Sequence, residues 1–339
     1  MNGAFSTNNP DLLLQPPIGR AAYSDRTAWI MATLSRLAYE PFDSAEEKAA
    51  LEEKLAVGGF KLISTVNVTK GKSVDTQAIL VNRPGEMSVL VFRGTEFKRD
   101  QGEKGFPLSD LKTDLDAVFV KPEGAADDDG KLSRGFFRAF EAAWGDIEEG
   151  IKKLYDKDRT EPLYITGHSL GAALATIAAR ELEKRLKTQY QKLTVAACYT
   201  FCSPRVGDGK WVRGIKVPVY RVVNGCDGVP LVPFSDFFYI LLRKIPLIGW
   251  GIKNPVFGFV GYQHVGAFKY LVGDVKAPES VDLSQGSTAT WKRFFRVFWA
   301  LFTAIRYLAI GSLTLFARDH SIGPVVEKLL IYAERRNRP

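Results

Sequence analysis

The sequence predicts an α/β fold built on a mixed, mostly parallel sheet with helices on both faces. Three observations carry this expectation. Strand-like and helix-like stretches alternate through the middle of the chain, the pattern of parallel βαβ units. One strand-like run turns abruptly, through a glycine-flanked serine, into a strong helix former. And 339 residues, 46% hydrophobic and 25% charged, have the balance of a globular chain that can bury a large core.

Taken in order, residues 1–22 read as an N-terminal extension, expected to be partly disordered, and residues 23–335 as a single domain. The extension has no basic start, and its only apolar run, Leu12-Leu13-Leu14, is too short for an export signal. The expectation is a chain without a cleavable signal peptide, cytoplasmic or peripheral to a membrane, with signal-independent secretion as the other route. Residues 23–39 carry Trp29, Ile30, Ala32, Leu34 and Leu37 at helical spacing. Ser44 opens a second helix, with Glu47 placed to complete a capping box. Strand-like runs follow at 61–66, 77–82 and 88–93, and then at 162–166, 194–201 and 218–223. Helix-like stretches lie at 135–155 and 171–187. The basic tail AERRNRP is expected to fray.

Several function classes are disfavoured. Three cysteines (Cys198, Cys202, Cys226) form no C-x-x-C pair, so neither a disulfide framework nor a zinc site is indicated. The net charge of +8 leans toward anionic surfaces. The basic residues are scattered, however, so nucleic acid is not an expected partner. Gly71-Lys72-Ser73 lacks the first glycine of a phosphate loop, where Val66 stands. Asp127-Asp128-Asp129-Gly130 lacks the alternating ligands of a calcium loop. No metal or organic cofactor is expected.

The strongest signal is Gly167-His168-Ser169-Leu170-Gly171. Pro162-Leu163-Tyr164-Ile165-Thr166 before it is strand-like, and the alanine-rich run from Ala172 is helix-forming. A sharp strand-to-helix turn with flanking glycines exposes a serine oxygen above the sheet edge, beside the free N–H groups of a helix start. Ser169 is thus a candidate nucleophile. It needs a base, and the base needs an orienting acid. The chain has three histidines; His168 lies inside the turn and is expected to pack on neighbouring loops, leaving His264 and His320 as candidate bases. Asp227 follows the apolar run 219–223 and a turn, as an orienting acid should, and gives the order Ser, Asp, His.

At this point the sequence resembles the class 3 lipases, the fungal-lipase-like branch of the α/β-hydrolases. Four blocks carry the resemblance: Val91-Phe92-Arg93-Gly94-Thr95, the 167–171 turn, Thr200-Phe201-Cys202-Ser203-Pro204-Arg205-Val206-Gly207-Asp208, and 221–233 with Asp227-Gly228-Val229-Pro230 at its centre. The resemblance implies that Thr95, with the Leu170 N–H, builds an oxyanion hole. It also favours His320, preceded by Asp319 and followed by the last helix, as the base; His264 then anchors a loop and remains the alternative base. There are departures. Cys202 stands where the family commonly has Gly, and reads as packing. Leu132-Ser133-Arg134-Gly135-Phe136 lacks the family's His ahead of Gly-Phe. Residues 96–107, at the place of the family's lid, are charged and glycine-rich rather than apolar.

Two apolar insertions remain, near 234–260 and 291–317. In the second, Lys292, Arg296, Thr303 and Arg306 fall along one helical line, with Phe294, Val297, Phe298, Leu301, Ile305 and Leu308 on the far side. That pattern fits core packing, docking on a membrane surface, or a span. The expected function is carboxylic-ester hydrolysis by a lipase or phospholipase acting on acylglycerol or phospholipid esters. The alternatives are a silent lipid-binding or partner-binding scaffold and a membrane-damaging effector of the phospholipase A1 type. The expected partners are a lipid or ester substrate and, peripherally, anionic membranes.

Overall fold

The computed structural model of the chain describes residues 4–14, 16, 22–70, 74–95, 118–122, 129–155, 161–186, 189–190, 192–233, 261–307 and 318–337, with backbone alone at 69–70, 74–75 and 298–307. The insertion at 234–260, the lid position at 96–107 and residues 308–317 lie outside the described residues.

Ten strands are described: β1 (Lys61–Lys70), β2 (Val74–Arg83), β3 (Met87–Phe92), β4 (Phe119–Val120), β5 (Leu132–Ser133), β6 (Leu163–His168), β7 (Val195–Phe201), β8 (Val219–Asn224), β9 (Ala267–Asp274) and β10 (Ala277–Gln285). The helices are α1 (Asp25–Leu37), α2 (Ala45–Ala56), α3 (Arg134–Tyr155), α4 (Leu170–Leu186), α5 (Gly209–Arg213), α6 (Gly286–Tyr307) and α7 (Ile322–Arg336). Eight strands form one sheet in the order β1-β2-β3-β6-β7-β8-β9-β10. The first three pair antiparallel. From β3 to β9 every pairing is parallel. β10 then returns antiparallel on β9. Parallel neighbours need crossovers, and α3 and α4 supply two of them. This is an α/β-hydrolase fold.

The alternation of side chains along the strands divides the core into two layers. Ile79, Val81, Val89 and Val91 face a cluster with Trp29, Leu34 and Leu329, from α1 and α7. Ala78, Leu80, Leu90 and Phe92 face the other way, onto Phe136, Phe140, Leu174 and Ile177 of α3 and α4. The central strands β3 and β6 are buried along their whole length, as strands covered on both faces must be. Ser44 and Glu47 form the expected capping box of α2.

One expectation is corrected. The basic tail is not frayed up to Asn337: α7 runs to Arg336, whose guanidinium meets Asp25 at 3.0 Å, while Arg335 donates to the Val281 carbonyl at 2.6 Å. Residues 4–14 are packed: Phe5 stacks on Phe60 with ring centres 5.9 Å apart, and Leu12 is fully buried. On α6, Trp291, Phe294 and Phe295 are exposed, and Ala289, Arg293 and Val297 form the buried line. The reason is polar: the Arg293 guanidinium reaches the Asp227 carbonyl at 3.0 Å, which sets the rotation of the helix. Among the described residues no helix is long and apolar enough to cross a membrane.

Candidate active site

The site is assembled at the carboxyl ends of β3, β6, β7 and β8. Ser169 sits between β6 and α4 with φ of 58°, in the left-handed region that costs a non-glycine residue strain. Its flanking glycines explain why the turn closes. A Cβ on Gly167 would collide with the Gly171 carbonyl, and one on Gly171 with the Phe92 carbonyl. Leu170 is the first residue of α4, so its N–H has no acceptor within the helix. On the other side, the backbone of Gly94 lies so close that a Cβ there would meet the Ser169 Cβ at 3.1 Å. Half-buried Thr95, the next residue, therefore leaves β3 beside the Ser169 turn.

The structure brings Ser169, Asp227 and His320 into one hydrogen-bonded chain. His320 Nε2 lies 2.8 Å from Ser169 Oγ, and His320 Nδ1 lies 3.0 Å from Asp227 Oδ1. Asp227 Oδ1 also accepts the Val229 N–H at 3.0 Å. A carboxylate only accepts, so Nδ1 carries the imidazole proton and Nε2 presents its lone pair to the serine hydroxyl. Asp227 is fully buried, and Ser169 and His320 are 2% and 3% exposed. Burial by itself would raise the Asp227 carboxyl. The charge and hydrogen bond of His320, with the bond from Val229, instead hold it below the ordinary carboxylate value.

A ring of residues that sequence reasoning missed fixes this chain in place. Asn224 Nδ2 donates to the Asp319 carbonyl at 2.8 Å, and the Cys226 N–H donates to Asp319 Oδ2 at 2.7 Å. These bonds tie the His320 segment to the loop that carries Asp227. Lys328 Nζ holds the Asn224 amide oxygen at 2.8 Å from α7. His168 does more than pack on loops. It donates from Nε2 to the His320 carbonyl at 2.6 Å and accepts from the Tyr39 hydroxyl at Nδ1, at 2.8 Å. Burial, then the neighbouring His320, push its pKa down to about 3, so it stays neutral. Arg293 was visible as one cation on an otherwise apolar helix face. Cys202 has φ of 57°, the conformation glycine adopts freely, which explains the family's glycine there. His168, Cys202 and His320 offer metal-type ligand atoms within 4.8 Å of one another. Both His168 nitrogens and both His320 nitrogens are already hydrogen-bonded, so the cluster fits an interlocked hydrogen-bond network better than a metal centre.

His264 lies elsewhere. Its Nε2 donates to the Pro230 carbonyl at 2.7 Å, and burial and the nearby Arg221 and Arg205 push its pKa well down. Its ring ties this segment to the Pro230 carbonyl, and it is His320 that hydrogen-bonds Ser169.

Residues 89–237 match the family model of the class 3 lipases. Over this stretch the chain is similar to the class 3 lipases. It is similar to a secreted mono- and diacylglycerol lipase of Malassezia restricta, 28% identical over 178 residues, covering 48% of this chain and 53% of that one. It is also similar to a secreted mono- and diacylglycerol lipase of Penicillium cyclopium, 27% identical over 164 residues, 48% of each chain. The chain spans about half the length of these curated relatives. Among solved structures, the lipase–propeptide complex of Rhizomucor miehei shares the fold with a TM-score of 0.54 and 19% identity, over 78% of this chain and 73% of that one. The relatives also correct one expectation. Both are named as secreted, which points outside the cell rather than to the cytoplasmic location expected from the N-terminal residues.

Proposed function

We propose that this chain is a lipase of the class 3 type that hydrolyses carboxylic esters of acylglycerols or phospholipids through an acyl-enzyme, with Ser169 as nucleophile, His320 as base and Asp227 as orienting acid. The observation that carries the reading is the unbroken chain of contacts from Asp227 through His320 to Ser169 Oγ, at 3.0 and 2.8 Å. As Ser169 Oγ attacks the ester carbonyl carbon, its proton passes to His320 Nε2, and Asp227 stabilises the imidazolium. The carbonyl oxygen becomes an oxyanion, received by the Leu170 N–H at the start of α4 and by Thr95. The tetrahedral adduct expels the alcohol, which takes the proton from Nε2. Water then repeats the sequence on the acyl-enzyme and releases the carboxylic acid. The names of the relatives support mono- and diacylglycerols as first substrates to try. The exposed aromatic cluster of Trp291, Phe294 and Phe295 on α6, flanked by Lys292 and Arg296, supports peripheral contact with an anionic lipid surface.

The test is Ser169→Ala. Fluorophosphonate labelling should disappear, and turnover of a p-nitrophenyl ester should fall on the order of 10⁴-fold or more, with the fold intact. Near-wild-type turnover by the folded variant would remove Ser169 from the reaction.

A further inference from the structure

A second concentration of charge lies beside the acid loop, on residues the proposed hydrolysis does not use. Arg205 follows β7, Arg221 belongs to β8, and His264 precedes β9. With Thr200, Ser203 and Gln263 they line a small recess of about 10 Å³, room for one small species. Arg221 is only 9% exposed. Its guanidinium lies over the Phe268 ring, 4.6 Å from the centroid, and its Nε and Nη1 are buried without a hydrogen-bond partner. Arg205 spends Nη1 on the Leu231 and Pro233 carbonyls, which are neutral acceptors.

No carboxylate among the described residues offsets these two cations. Burial and the neighbouring arginines push Arg221 down to about 9 and Arg205 to about 10, and Arg293, the third member, already faces Asp227. Orphaned buried N–H groups and uncompensated buried charge are both costly. A water molecule would satisfy the N–H groups and leave the charge. A carboxylate or phosphate would bring charge and outgrow that space. A small monovalent anion meets both demands.

We propose that this recess binds a single halide ion, chloride in ordinary solution, held by Arg221 Nε and Nη1 with Arg205 behind it. The site does not depend on the hydrolytic reading. Arg205 grips the turn that begins at Asp227, so the ion stabilises the loop that carries the carboxylate.

The experiment compares thermal melting of the whole chain in sodium chloride and in sodium gluconate at equal ionic strength, and locates bromide by anomalous scattering in soaked crystals. The melting temperature should rise by about 2 °C or more with chloride, and saturate. Arg221→Met, which keeps the buried stem and removes the charge, should lose that dependence. Bromide should appear within hydrogen-bond reach of Arg221 Nε and Nη1. A bromide peak there supports the site even if Arg221→Met fails to fold. An empty recess overturns it, as does a chloride effect of equal size in folded Arg221→Met, which would place the ion elsewhere.

Discussion

Mild acid should weaken this protein through His168. The perturbation is a change from about pH 7 to about pH 5. Within the fold His168 is buried, and its pKa is pushed down to about 3 from 6.5. A histidine depressed in this way contributes its full stability above the unfolded pKa and loses it as pH falls, because the unfolded chain takes up a proton that the folded chain refuses. The slope is about 1.4 kcal/mol per pH unit below about pH 6.5. Integrated over the interval, His168 alone removes about 2 kcal/mol by about pH 5. That is a sizeable part of a domain's stability. His264, also depressed, acts in the same direction. Asp227 does not oppose it here: its carboxyl is held below the ordinary value, so its contribution is lost only at lower pH. The assay is equilibrium urea unfolding of wild type and His168→Gln at both pH values. Glutamine can still donate to the His320 carbonyl and accept from Tyr39, but it does not titrate. The variant should be less stable than wild type at neutral pH, and its loss on acidification should be smaller by about 2 kcal/mol. Identical pH dependence in the two proteins would refute the argument.

Other expectations follow from the same geometry. Asp227→Asn should slow acylation on the order of 10⁴-fold, because an amide favours the wrong imidazole tautomer. It should also destabilise the fold by about 3 kcal/mol or more, since it leaves Arg293 without its buried counter-charge; fluorophosphonate labelling rates and urea melts read the two effects, and unchanged labelling would move the acid elsewhere. His320→Ala should fall to the activity of Ser169→Ala, whereas His264→Ala should lose stability and keep measurable turnover; the opposite ranking in an ester assay would transfer the base to His264. The double change Trp291→Ser with Phe295→Ser should reduce co-sedimentation with anionic liposomes by more than about tenfold, since each buried aromatic is worth about 1.5–3 kcal/mol. Hydrolysis of a soluble short-chain ester should change little, and wild-type-like sedimentation would assign these side chains to another role.

What could be read in advance was local. The Ser169 turn is written in five consecutive residues, because a strand that reverses into a helix needs small flanks at fixed positions. The capping box of α2 is likewise a matter of two side chains three residues apart. The alternation of strands and helices specified parallel pairing, because a parallel neighbour can only be reached by a crossover. β9 and β10 were not anticipated. In β10 only Val281 is fully buried, and an edge strand with so little apolar pattern carries a weak periodic signal.

The choice between His264 and His320 was different in kind. The resemblance favours His320, but by residue chemistry alone each is a lone histidine, and nothing in that chemistry says which one meets Ser169. Only the closed fold settles that, through Asn224 and Cys226 gripping Asp319 and so delivering His320 to Asp227. The same holds for the rotation of α6. Helical periodicity gives the set of possible faces, but the buried one was selected by a carbonyl of Asp227, distant in sequence, that could satisfy Arg293. Periodicity and turn chemistry act between residues a few positions apart, and so are legible along a chain. Satisfying a buried charge or aligning an imidazole depends on partners that become neighbours only after the chain has closed on itself.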